Sequence, residues 1–228
     1  MKNWPDHKRI GLFGGTFDPI HNGHIKAASK IKEKFSLDHI YFVPAYISPY
    51  KTYLGTSSSL HRLEMVKKGI EGFPDFSISE FELNKKEVSY TIHTLKHYKN
   101  ILPPGAELYF ILGSDAFLGI SQWKNVEEIF SNCHLLVVRR PGHPLHPLSK
   151  ILESPLLLKE FSTLKEGEHY RHFTGHDIYI VKIPTVNISS SELRQKIAHH
   201  KPYTSFVPHS VAEYIKKYSL YHDDKEKN

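Results

Sequence analysis

The feature that most constrains this chain is an alternation of short apolar runs with segments of helical period. RIGLF at 9–13 ends at Gly14-Gly15, and Ile25, Ala28, Ile31 and Phe35 then recur at near-helical spacing. IYFVPA at 40–45 is a second apolar run. Ser57, Ser58 and Ser59 offer N-caps to a helix holding Leu60, Leu63, Met65, Val66 and Ile70, expected to close at Gly72. FSISEFEL at 76–83 alternates as a strand does, a helix is expected over 91–99, and ELYFILG at 107–113 is the next apolar run. A helix around 124–131, HLLVVRR at 134–140, IYIVKI at 178–183 and helices at about 189–199 and 208–218 complete the order. Repeated β-then-α order predicts an α/β fold: a doubly wound parallel sheet with C-terminal helices packed onto it. The segment from Pro141 to about Asp177 opens with Pro141, Gly142, Pro144 and Pro147, and reads as a long loop or partly helical excursion.

No shift of composition marks a boundary, so a single domain over 1–221 is expected, followed by a disordered mixed-charge tail at 222–228. A chain of 228 residues can bury one substantial core. It offers no signal-peptide core and no run near the roughly 18 apolar residues of a membrane span, so no membrane partner is expected. The single Cys133 rules out a disulfide within the chain and any multi-cysteine metal site, which fits a cytoplasmic location. A formal charge of +6 suits nucleic acid, anionic lipid or phosphorylated small molecules equally. With no long Lys/Arg run and no basic stripe rich in aromatics, nucleic acid is not an expected partner.

The first strand should end at Phe13, placing Gly14, Gly15 and Thr16 on the carboxyl rim where such sheets bind ligands. Two glycines let the backbone approach a ligand and adopt angles that other residues avoid. A helix beginning near Gly23-His24 aims free N–H groups and a partial positive charge into the same space. His21 and His24 flank that start and can donate to phosphate oxygens. The segment lacks the Gly-Lys-Ser/Thr and the third glycine of the common phosphate loops. Asp18-Pro19 reads as turn chemistry, and a His-x-x-His pair alone lacks the third ligand of a metal site. Spacing therefore defines an anion-binding βα turn.

Beyond spacing, GGTFDPIHNGH at 14–24 resembles the (H/T)xGH signature of the adenylyl- and cytidylyltransferases, distant relatives of class I aminoacyl-tRNA synthetases. ISSSELR at 188–194, about 170 residues on, resembles their second signature. The finer likeness is to bacterial nicotinate-mononucleotide adenylyltransferases. His21, VPAYISPYK at 43–51, SYTIHTL at 89–95, FILGSDAF at 110–117 with Trp123, and VVRRPG at 137–142 carry it, over about residues 9–221. One departure is Tyr50, where that family usually has His, and Tyr50 is assigned no role.

The resemblance implies attack by a mononucleotide 5′-phosphate on the α-phosphorus of ATP, releasing pyrophosphate. An ionised phosphate needs no general base, so alignment and neutralisation of charge can suffice. The residues so implied as catalytic are His21, His24 and Arg194. Gly14, Gly15, Thr16, Phe17, Gly113, Asp115, Ser189 and Ser190 join them in binding ATP. Lys51, Tyr90, Thr91 and Trp123 would bind the acceptor, with Trp123 stacked on the pyridine ring and Tyr90 and Thr91 reading its carboxylate. Plain alternatives are N-capping for Asp115, Ser189 and Ser190, core packing for Trp123, and solvated or ion-paired roles for Arg62, Arg140 and Arg194. Mg²⁺ would enter through phosphate oxygens and water, without a protein metal site. ATP and nicotinate mononucleotide are the implied partners, and the resemblance leaves room for a homo-oligomer. Competing expectations are nicotinamide mononucleotide or phosphopantetheine as acceptor, or a non-catalytic nucleotide-binding regulator. His21, Trp123 and SYTIHTL weigh against phosphopantetheine; His21, His24 and Arg194 together weigh against the regulator.

Overall fold

The computed structural model describes residues 8–49, 57–139, 146–184 and 188–222. The expectations for Lys51, Tyr50, Arg140 and the last six residues lie outside them. In chain order the elements are β1 (Arg9–Gly15), α1 (Asn22–Phe35), β2 (His39–Pro44), α2 (Ser59–Gly69), β3 (Phe76–Ile78), α3 (Phe81–Lys85), α4 (Thr91–Ile101), β4 (Glu107–Gly113), α5 (Ser114–Leu118), α6 (Val126–Phe130), β5 (His134–Arg139), α7 (Leu148–Ile151), α8 (Pro155–Leu158), β6 (Phe161–Lys165), β7 (His169–His172), β8 (Asp177–Lys182), α9 (Ser190–Ala198) and α10 (His209–Lys217).

The strands form one sheet in the order β3-β2-β1-β4-β5-β8-β7-β6. From β3 to β8 every pair is parallel, and β7 and β6 join antiparallel at one edge. The central strands are apolar through their buried middles because both faces are covered. Ile10 and Leu12 of β1, Phe110 of β4 and Val137 of β5 face one core, with α4 and α6 packed over it. Phe13, Ile111 and Leu136 face the other, beneath α1, α2, α9 and α10. The doubly wound expectation holds. Among the described residues no helix is long and apolar enough to cross a membrane.

The helix α1 shows how sequence sets a boundary. Ile25, Ala28 and Ile31 are buried along one stripe, and Ser36 ends the helix in the left-handed region at φ 48°. Leu37 N–H then closes onto Lys32 O at 3.0 Å, with Lys32 and Lys34 in the last turn complementing the helix dipole.

Three expectations are corrected. FSISEFEL is strand only at Phe76–Ile78, and Phe81–Lys85 is helical. Among the described residues β3 pairs only with β2, the ladder ends where Ser79 N–H donates to Phe42 O, and Asn84 N–H then bonds Glu80 O. The same apolar positions suit a helical turn once the strand has no further partner. Second, α2 ends at Gly69 rather than Gly72, which lies beyond it at φ 87°. Gly69 sits where a Cβ would come within 2.9 Å of Ile20 Cγ2, so the helix is glycine-thin against the first βα turn.

Third, the described part of the Pro141–Asp177 segment contains α7, α8 and the β6–β7 hairpin. The hairpin turns with Gly167 at φ 69°, closed by Glu168 N–H to Lys165 O at 3.0 Å. Most of β6 is exposed, so the period-2 signal of a half-buried strand is missing.

A polar cluster fastens this hairpin to β5 and β8. Asp177, 4% exposed, accepts from Arg171 Nε at 2.8 Å and Nη2 at 3.1 Å, and its own N–H donates to His134 Nδ1 at 3.0 Å. Burial would raise the Asp177 carboxyl, but hydrogen bonds from Arg171, His169 and Tyr179 outweigh it and hold it low. Burial, reinforced by the neighbouring His134 and Lys99, pushes His176 down from 6.5 to about 4. The unfolded chain therefore takes up a proton on His176 near pH 6.5 while the fold does not, so this contribution to stability is lost as pH falls from about 6.5 to 4. Asp177 acts in a lower window, since its stabilisation disappears only below the unfolded carboxyl value. We expect urea midpoints to fall between pH 7 and 4.5, and His176→Asn to flatten that slope. An unchanged slope in the variant would assign the pH dependence to other groups.

Candidate active site

Strand order reverses between β1 and β4, and in such sheets the crevice at this switch point is where ligands bind. Gly14 and Gly15 close β1 on that rim, and Gly113 closes β4. None of the three lies in the left-handed region; that conformation falls to Phe17, at φ 50°. Gly14 and Gly15 are required by space. A Cβ on Gly14 would sit 2.6 Å from Phe110 Cζ, and one on Gly15 would sit 2.9 Å from Phe17 Cζ. A Cβ on Gly113 meets nothing within 4 Å among the described residues. Phe17 is 2% exposed, its ring edge-on to Phe13 and His24, so its side chain serves the core and only its backbone faces the turn.

His21 is the N-cap of α1 and His24 lies one turn in. Their rings stack at 3.7 Å between centroids. His21 N–H donates to His24 Nδ1 at 3.3 Å, which makes Nδ1 an acceptor and leaves Nε2 to carry the His24 proton in its neutral form. The helix start thus presents backbone donors together with an oriented imidazole.

The second motif reaches the first. Ser189 caps α9: its hydroxyl accepts from Glu192 N–H at 3.1 Å, and its own N–H donates to Glu192 Oε2 at 2.6 Å. Ser190 Oγ donates to Pro19 O at 2.9 Å, and Arg194 Nη1 donates to Asp18 O at 2.8 Å. His21, His24, Ser190 and Arg194 are therefore gathered around residues 18–19. Asp18, assigned to turn chemistry from sequence, is 1% exposed and accepts from Ser57 N–H, Ser57 Oγ and Tyr221 OH.

The acceptor-side residues sit on neighbouring loops. Tyr90 is the N-cap of α4 and Thr91 its first residue. Trp123 is half-buried, edge-on to Phe110 at 6.1 Å. Tyr90 and Trp123 pack against the same core, and Lys124 Nζ lies 4.5 Å over the Tyr90 ring. Asp115 is exposed in the first turn of α5, whose N-cap is Gly113, so Asp115 is not a cap.

Four residues escaped assignment from sequence or were misjudged: Asp18, Arg62, Ser114 and Tyr221. Arg62, 3% exposed, donates to Thr16 O at 2.9 Å and Tyr46 O at 3.0 Å, a buried staple rather than a solvated or phosphate-facing side chain. Ser114 Oγ is buried at the head of α5 and meets no hydrogen-bond partner among the described residues. A cleft of about 500 Å³ opens at the opposite end of the sheet, lined by Lys99, His134 and His176 among others, and includes none of the expected site residues. Volume alone does not mark the site.

Residues 12–196, which include both the switch-point turn and the late capped helix, match the cytidylyltransferase-like family model. Among curated relatives, a protein of Geotalea daltonii named "Probable nicotinate-nucleotide adenylyltransferase" is 37% identical over 95% of this chain and its own full length. A Clostridium botulinum protein of the same name is 36% identical, again over 95% of this chain and all of its own. The chain belongs to the nicotinate-nucleotide adenylyltransferases of the cytidylyltransferase-like family. The fold is also that of Plasmodium falciparum nicotinic acid mononucleotide adenylyltransferase complexed with NaAD, at a TM-score of 0.69 and 24% identity, covering 94% of this chain and 98% of that one.

The glycines of the rim should separate two effects. Gly14→Ala drives a Cβ into the buried Phe110 ring and is expected to cost about 1–3 kcal/mol of stability, as overpacking does. Gly113→Ala should leave the melting temperature within about 1 °C, below the roughly 2–4 °C that a 1 kcal/mol loss causes in a chain of this size, yet lower activity by filling the rim. Equal effects of the two on stability, measured by thermal unfolding, would contradict the packing assignment.

Proposed function

We propose that the chain joins the 5′-phosphate of nicotinate mononucleotide to the adenylyl group of ATP. One observation carries this reading: Arg194 and Ser190 of α9 bond the peptide carbonyls of Asp18 and Pro19, which places the second motif against the helix start of His21 and His24. Donors from the two ends of the chain thereby meet at the first βα turn of the switch point.

In the reaction an oxygen of the mononucleotide phosphate forms a bond to the α-phosphorus. The bond from that phosphorus to the bridging oxygen breaks, and pyrophosphate leaves with the electron pair. The nucleophile is already anionic, so a base is unnecessary. His24 Nε2–H, the α1 N–H groups and the Arg194 guanidinium act by holding phosphates in line and offsetting developing charge. Mg²⁺ supplies further neutralisation when it arrives with the triphosphate. That ion would be carried by phosphate oxygens and water. Tyr90, Thr91 and Trp123 would receive the pyridine ring, the α4 N–H groups facing its carboxylate.

Pyrophosphate release should be measured with ATP, Mg²⁺ and each of nicotinate mononucleotide, nicotinamide mononucleotide and phosphopantetheine. The acid is expected to be fastest. Faster turnover of the amide would overturn the acceptor alone, and none with any acceptor would overturn the reaction. His24→Ala should lower kcat by about a hundredfold or more with the fold intact, as loss of one transition-state donor does.

A further inference from the structure

We propose that Tyr221, beyond the last helix, is a positioning residue for Arg194 and keeps its guanidinium available to the triphosphate. The proposal rests on the adenylyl-transfer reading for its catalytic consequence, but its geometry stands apart from it.

The argument begins with Asp18. Its carboxylate is 1% exposed, and a buried charge demands donors on its oxygens. Ser57 supplies a backbone N–H, 3.3 Å from Oδ1 and 3.2 Å from Oδ2, and its hydroxyl. Tyr221 supplies the remaining described donor, its OH lying 2.6 Å from Oδ1, 203 residues along the chain. Burial first, and then the charge of Asp18, push the Tyr221 phenol well above its ordinary value, so it keeps its proton and remains a donor. Its backbone lies at φ 68°, in the left-handed region that a tyrosine adopts only when its surroundings hold it there. The chain reaches that point by turning back after α10, where Leu220 N–H donates to Ile215 O at 3.0 Å.

Arg194 is the group that feels this arrangement. Its Nη1 donates to the Asp18 carbonyl at 2.8 Å and stands 3.8 Å from Asp18 Oδ2. With the carboxylate satisfied by Ser57 and Tyr221, the guanidinium is steered by the Asp18 carbonyl and by Ser191 Oγ, 3.3 Å from Nη2, and keeps its other N–H groups for another anion. Removing the phenol leaves the carboxylate short of a donor, and the nearest cation able to replace it is Arg194. The guanidinium is then drawn onto Asp18 and away from phosphate. Tyr221 thus acts by keeping the loose Arg194–Asp18 pair, 3.8 Å apart, from closing into a tight one.

Tyr221→Phe keeps the ring and deletes only the hydroxyl. In the full-length protein it should weaken ATP binding, read by calorimetry with Mg²⁺, and lower kcat by about tenfold, the scale of one charge-assisted hydrogen bond. KM for nicotinate mononucleotide should stay within about twofold, because Tyr90, Thr91 and Trp123 are untouched. The decisive step repeats the substitution in an Arg194→Ala background, where both effects should vanish. Equal factors in the two backgrounds, or a fully active Tyr221→Phe, would overturn the proposal. Should Tyr221→Phe fold poorly by its melting curve, Ser57→Ala removes another donor to the same carboxylate and must show the same coupling to Arg194. Coupled ATP binding without turnover of any acceptor would sink the transfer reading and leave the role of Tyr221 standing.

Discussion

The burial of the Asp18 carboxylate is the constraint on which the site depends. At 1% exposure it cannot be solvated, so the fold must bring donors to it. They come from the segment ahead of α2 and from the end of the chain beyond α10, while the adjoining carbonyls of Asp18 and Pro19 accept from α9. Three segments distant in sequence therefore meet on two residues of the first turn. None of these contacts exists until the tertiary structure closes, so the turn acquires its active geometry only with the C-terminal helices in place. A nucleotidyltransferase that works by alignment needs such cooperativity, because its donors are useful only when all are correctly set.

Much of the fold is legible in the sequence because its central strands are buried on both faces. Ile10, Leu12 and Phe13, or Leu108 to Leu112, must be apolar at every position, and a continuous apolar run bounded by glycine is easily read. Edges are not legible. At 76–83 one pattern serves strand and helix alike, and the absence of a partner beyond β3 decides between them. Exposed β6 carries no alternation at all. The anchors His21, His24, Ser190 and Arg194 were readable from their motifs, and the structure gathers them at one turn. Tyr221 could not be read, since a lone tyrosine after a final helix has no spacing that ties it to Asp18.

The rim glycines qualify a common inference. Adjacent glycines after a strand suggest backbone angles closed to other residues, yet here it is Phe17 that takes the left-handed conformation. Gly14 and Gly15 are small because Phe110 and Phe17 occupy the space their side chains would need. The Phe110 ring that presses on Gly14 also meets the edge of Trp123. One aromatic side chain therefore couples the phosphate-side turn to the expected pyridine platform, and the glycine is the condition for that coupling.

A second coupling runs through Arg62. Its fork donates to Thr16 O on the phosphate side and Tyr46 O on the loop after β2. Tyr46 N–H donates in turn to Ser89 Oγ, and Ser89 N–H to Ile47 O, immediately ahead of Tyr90 and Thr91. A chain of hydrogen bonds thus fixes the spacing between the region expected to hold ATP and the region expected to hold its acceptor. Arginine suits this place because its planar fork reaches two carbonyls at a set angle, which a lysine ammonium does not. Burial makes the tie stiff, since a guanidinium shut away from water has few alternatives to those two oxygens. In a reaction that calls on no base, the rate rests on holding two phosphates within reach and in line. The residue that sets that distance then matters as much as the donors proposed to hold the phosphates.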